Sequence, residues 1–143
     1  MSTGEHASTS TVITPARIAA GLSELWSPRV VAELDDYYVK VAKVQGDLAW
    51  HCHDDEDELF YILSGSLTIE MEDRSVELQT GDAFVVPKGV RHHPIAQAEC
   101  QLMLIERKST LHTGDVVTDQ TRTLAEQLRP VLPAQAMAHT GRP

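Results

Sequence analysis

Three histidines and a glutamate, His51, His53, Glu58 and His92, stand at intervals that suit one metal ion. His51 and His53 are two residues apart, and alternate side chains of an extended strand share a face. Two imidazoles would therefore project to one side, about 7 Å apart along the chain. Glu58 follows His53 at an odd interval, which an unbroken strand would send to the opposite face, so the acidic run Asp54 to Asp57 must turn or bulge the chain first. His92 comes after Val85-Val86-Pro87-Lys88-Gly89, an apolar strand and then a tight Pro-x-Gly turn, and so arrives from elsewhere in a sheet. Three imidazoles and a carboxylate leave one to three coordination positions open, as a reactive site does and a closed structural site does not. Each residue alone is ordinary; the constellation carries the signal. Glu58 has a second expected role, as a catalytic base if it detaches from the ion.

The elements that must hold these residues are short strands punctuated by glycine. Tyr37 to Val44 alternates as a strand, and Gln45-Gly46 turns into Asp47 to His53, the strand of the histidine pair, in a hairpin. Leu59 to Leu63 and Leu67 to Met71 are joined at Ser64-Gly65-Ser66. Val76 to Leu78, Ala83 to Val86, His92 to Ala96 and Cys100 to Arg107 complete an evenly spaced, closed or sandwiched all-β set. Pro15 to Leu25 reads as a short helix with Thr14 as N-cap, ended by Trp26-Ser27-Pro28, and Thr123 to Leu128 as a last helical turn. Residues 1–14 read as a mobile tail, 15–128 as one domain and 129–143 as a disordered tail.

The ligand residues resemble the two motifs of the cupin superfamily. The first motif reads Gly46, His51, His53, Glu58, Gly65, with four residues where the family has five between the first glycine and the first histidine. The second reads Gly81, Pro87, Gly89, His92, with Ala96 where the family carries an asparagine that does not normally hold the metal. From Trp26-Ser27-Pro28 through Tyr37 to Lys40 and Trp50-His51 to Thr110-Leu111-His112-Thr113-Gly114-Asp115, the chain is similar to small single-domain bacterial cupins, often labelled mannose-6-phosphate-isomerase-like. The resemblance implies an all-β, double-stranded β-helix (jelly-roll) barrel with short flanking helices and a metal near its mouth. It also implies a homodimer, for which the exposed edges of a sheet give a physical motive. It does not choose a reaction, because cupins include dioxygenases, isomerases, cyclases and storage proteins.

At 143 residues the chain is long enough for one core. Its net charge of -9, without a basic stripe, excludes a nucleic-acid surface. Its apolar runs are too short for a membrane span, and its start lacks the features of a signal peptide, so a soluble cytoplasmic protein is expected. Cys52 and Cys100 are too few for a disulfide framework. Cys52, between the ligand histidines, is expected to point away from the metal and pack, whereas Cys100 could face either way.

The remaining candidates read as structure first. Asp54 to Asp57 lack the glycine of a calcium loop and read as a solvated rim. His93 should point outward beside His92. His112 is a loop histidine that could close over the site, while His6 and His139 lie in the tails. Phe60 and Ile62 share the face of Glu58 and could line a pocket; Tyr61 should turn away, and Trp50 should pack. Lys40 and Lys43 read as guards of an edge strand or as contacts for an anionic substrate. A phosphosugar pocket needs clustered Arg or Lys, and the ligand motif has an acidic rim instead, which argues against the isomerase label. The metal is one divalent transition ion (Fe, Mn, Ni, Co or Zn). The expected function is that of a metal-dependent oxygenase, isomerase or cyclase acting on a small oxygen-rich molecule. A non-catalytic module that binds or senses a small molecule or metal is the alternative.

Overall fold

The structure, a computed structural model, describes residues 11–131; the tails beyond them, with His6 and His139, lie outside the described residues. Helix α1 (Pro15–Gly21) starts with Pro15 in its first turn, where a missing N–H costs nothing. Thr14 is its N-cap by position, but its side chain makes no capping bond, and the helix stops four residues short of the expected Leu25. Strands β1 (Arg29–Leu34), β2 (Tyr37–Asp47), β3 (Glu58–Ser64), β4 (Ser66–Met71), β5 (Ser75–Gln79), β6 (Ala83–Val86) and β7 (His92–Arg107) follow, then α2 (Leu124–Gln127). Strand β1 has no counterpart in the sequence reading. It pairs with β2 across the two-residue Asp35-Asp36 turn, with Asp35 at φ 51.

All pairings between these strands are antiparallel, and the sheet is organised around β7. One edge of β7 pairs with β2 over nearly its whole length, and the other takes β3 at residues 101–106 and β4 at 92–95. The outer neighbours β1, β6 and β5 extend β2, β3 and β4. The two strands expected at His92 to Ala96 and Cys100 to Arg107 are thus one 16-residue strand, exposed at Gln97 to Glu99 and at its end, Arg107. At Gly65 (φ 85) the chain steps from one stretch of β7 to the next. A Cβ there would lie 2.8 Å from the Glu99 carbonyl oxygen, which is why only glycine fits.

Alternation sorts the faces. Glu58, Phe60 and Ile62 of β3 point inward, as do Leu102, Leu104 and Glu106 of β7 and Lys40, Ala42 and Val44 of β2. Tyr61, as expected, turns away and is only half-buried. The interior is filled by branched and aromatic side chains, including Phe60, Ile62, Leu67, Ile69 and Leu102, each contributing about 1.5–3 kcal/mol by leaving water. Val41, on the opposite face of β2, is covered by Ile18 and Ala19 of α1 and by Leu22 just after it. No helix among the described residues is long and apolar enough to cross a membrane.

Candidate metal centre

The histidine pair does not sit on a regular strand. The chain continues from β2 past a bulge at Val44 to Gly46, without the expected hairpin, and follows β7 as an irregular edge. Leu48 N donates to the Pro94 carbonyl, and His51 and His92 exchange both backbone hydrogen bonds (3.0 and 2.9 Å). That reciprocal bridge brings the two imidazoles together, with ring centroids 4.4 Å apart. His53 stands edge-on to His51 at 5.0 Å. The exposed Asp54 and Asp55 then carry the chain around to β3, whose first inward residue is Glu58.

All four residues predicted as ligands converge. One donor atom from each of His51, His53, Glu58 and His92 lies within 4.8 Å of the others, and all four residues are buried. Glu58 Oε1 is 3.3 Å from His53 Nε2 and 3.4 Å from His92 Nε2. The chemistry of these atoms fits a cation. His51 Nδ1 donates to the Ala49 carbonyl (2.7 Å) and His92 Nδ1 to that of Val90 (3.0 Å), which leaves each Nε2 a bare lone pair. His53 Nε2, His92 Nε2 and Glu58 Oε1 are buried with no hydrogen-bond partner among the described residues. Such atoms are costly unless something else meets them. These residues could hold one metal ion.

The electrostatics of these four side chains agree. Burial, with His92 alongside, lowers the His51 pKa to about 4, so its lone pair stays free well into acid. Burial also opposes charge on His53, yet the Glu58 carboxylate, 3.3 Å away, raises its pKa. Burial alone would raise Glu58; the close approach of His53 and His92, with Glu106 opposite, holds it well below the usual carboxylate range.

A narrow, partly open cavity of about 30 Å³ adjoins the group. Trp26, Leu48, Phe60, Leu102 and Leu104 form much of its apolar wall, while His51, Glu58 and His112 are its polar lining. Phe60 takes the predicted place. Trp26 holds a left-handed backbone (φ 56), a strained state for a bulky residue, fixed by its N–H to Lys43 O and its indole N–H to Gln45 O. On the far side, His53 faces a second, acidic depression formed with Asp54, Asp55, Glu56 and Asp115.

Three sets of residues at or behind the site went unread in the sequence. Lys40 is no edge guard: it is 1 % exposed, and its ammonium donates to Glu106 (2.5 Å) and Gln127 (2.6 Å). Glu106 sits directly across from Glu58 in the β3–β7 ladder, and burial together with the Glu58 charge raises its pKa well above the usual range against the pull of Lys40. The third set is Gly114 and Asp115. Asp115 N donates to Cys52 O, and Cys52 N donates to Asp115 Oδ1, pinning the chain between the two ligand histidines. A Cβ on Gly114 (φ 56) would lie 2.1 Å from Cys52 O. The only sequence signal for this clamp was the Thr-Gly-Asp run.

His93 points outward as expected, bonded to Asp47 (2.8 Å) and Glu70 (2.9 Å) and stacked on Trp50. Cys52 turns its thiol to Asp54, and Cys100 is buried in the core.

The family model described as the cupin domain matches residues 37–107, the span from β2 to the end of β7. The Bacillus subtilis protein YdbB is 33% identical over 79 residues, which cover 54% of this chain and 70% of that protein. The chain belongs to the cupin family. A solved cupin-2 domain containing protein from Shewanella frigidimarina is 43% identical, with a TM-score of 0.66, covering 68% of this chain and 95% of that one. Protein NMB1881 from Neisseria meningitidis is 28% identical, with a TM-score of 0.63, covering 68% of this chain and all of the other (100%). The four-residue first spacing of this cupin falls where the bulge and irregular edge after Val44 deliver His51.

Proposed function

We propose that this cupin is a mononuclear metal-dependent enzyme, of oxygenase, isomerase or cyclase type, whose substrate is a small molecule with oxygen donors at one end and an apolar body. The observation that carries the reading is the cluster of unpartnered buried atoms on His53, Glu58 and His92, of which Glu58, with its neighbour His51, also lines an otherwise apolar cavity. His51, His53, Glu58 and His92 would hold the ion, which supplies Lewis-acid polarisation or, for a redox-active metal, one-electron chemistry.

The protein's own residues do the rest. The apolar wall excludes water and positions the carbon body of the substrate, strengthening polar contacts at the metal end. Glu58, kept ionised by its histidine neighbours, is the carboxylate of the cavity wall and, when detached from the ion, the base for a substrate proton. Glu106 and Lys40 lie behind it, so a charge change on Glu58 is felt by a buried cation rather than by solvent. Apolar lining narrows the expected substrate from oxygen-rich to amphiphilic.

The test loads the protein separately with Fe(II), Mn(II), Ni(II), Co(II) and Zn(II) and offers catechols and 1,3-diketones. O2 uptake with product formation identifies an oxygenase, and conversion without O2 an isomerase or cyclase. Recovery of every compound unchanged under all five metals would reduce the protein to a binding module.

A further inference from the structure

Of the twelve residues lining the apolar cavity, nine are apolar and two, His51 and Glu58, belong to the metal group. The remaining one is His112, from the segment that follows β7. Its Nδ1 accepts the backbone N–H of Arg122 at 2.9 Å. A neutral imidazole that accepts at Nδ1 carries its proton on Nε2. No partner for that Nε2 is found among the described residues, so the cavity wall contains one uncommitted N–H donor.

The ring is held from behind. Arg122 O accepts from Gln127 Nε2 (3.1 Å), and Gln127 Oε1 accepts from the buried Lys40 (2.6 Å). The Arg122 guanidinium is tied to Ser27 and to the Gln120 carbonyl. Burial, reinforced by Lys40, lowers the His112 pKa to about 4, which keeps the ring neutral beside a cation site. A fixed, uncharged donor close to His51 and Glu58 has the character of a ligand-orienting group.

We propose that His112 is the hydrogen-bond donor that orients the organic ligand against the metal group, and that this ligand is a small, largely apolar molecule with an acceptor oxygen near its metal-binding end. The proposal rests on the reading of the site given above. A ligand without that oxygen would bury the His112 N–H unmet, so the site selects against it.

The experiment uses the full chain loaded with Zn(II) or Co(II) and the probe 4-nitrocatechol, whose vicinal oxygens chelate a divalent ion and whose ring is apolar. His112→Leu is expected to keep its metal yet bind the probe about ten- to hundredfold more weakly. His112→Gln, which returns an N–H donor, is expected within a few-fold of the unsubstituted protein. Nitrogen-15 spectra of histidine-labelled protein should show His112 as the neutral Nε2–H tautomer, with that resonance moving on addition of probe. Unchanged probe affinity in His112→Leu overturns the proposal, as does metal loss in that variant, which would make His112 a ligand. An Nδ1–H tautomer, an unmoved resonance, or metal-loaded protein that ignores the probe overturns it too. Failure of the unsubstituted protein to take up metal would sink the metal reading instead, and the resonance shift in metal-free protein then decides the role of His112 alone.

Discussion

Two buried polar groups share the inner face of the sheet and are finished differently. His51, His53, Glu58 and His92 leave several buried nitrogens and an oxygen without partners. Lys40, Glu106 and Gln127 satisfy one another, with Glu106 Oε1 as their one unpartnered buried atom. The groups touch where Glu58 faces Glu106 across β3 and β7, where burial and the Glu58 charge push the Glu106 pKa up while Lys40 beneath it pulls the other way. Each unmet buried group costs about 1–3 kcal/mol. Several in one place therefore imply a ligand absent from the protein chain itself, whereas a closed group of the same burial implies structure.

That contrast breaks first at the metal. Replacing His51 and His92 together by alanine should abolish bound metal, measured by elemental analysis, while the protein still folds; undiminished metal content would end the assignment. Next comes the closed group. Lys40→Met leaves Glu106 uncompensated and should lower stability by about 3–5 kcal/mol in chemical denaturation, with Lys40→Met/Glu106→Leu recovering most of it. A harmless Lys40→Met would show that the group is not structural.

Smaller effects sharpen the contrast. Between pH 6.5 and about 4 the unfolded chain protonates His112 and the folded protein does not, so stability falls as the solution is acidified. The full difference is about 3 kcal/mol, and His112→Gln should flatten the acid limb of a denaturation series by up to that amount. An unaltered pH profile would contradict a neutral buried ring. Asp115→Ala releases the backbone of Cys52 and should weaken metal affinity about tenfold, measured by competition with a chelator, without removing any ligand.

The ligand set was legible because strand alternation and odd intervals are properties of the chain alone. The two-residue step between His51 and His53 and the forced turn before Glu58 left few ways to gather four donors. Alternation likewise placed Phe60 inward, and Tyr61 and His93 outward. The continuity of β7 was not legible, since Gln97-Ala98-Glu99 resembles a turn until both flanking stretches are seen to pair with β2. Strand β1 was hidden for a similar reason: Arg29 to Leu34 is only partly buried and pairs at an edge, so it carries little pattern.

By itself, then, the sequence determined a closed or sandwiched all-β fold and which four side chains could meet at a cation, because both follow from local periodicity and spacing. Tertiary structure alone decided that Lys40 is an interior counter-charge, that Gly114 and Asp115 brace the histidine pair, and that His112 belongs to the cavity. Those facts depend on contacts between residues 63 to 87 positions apart, or on where the segment after β7 comes to rest, as with His112. No local pattern encodes where a lysine on one strand will meet a glutamate on another.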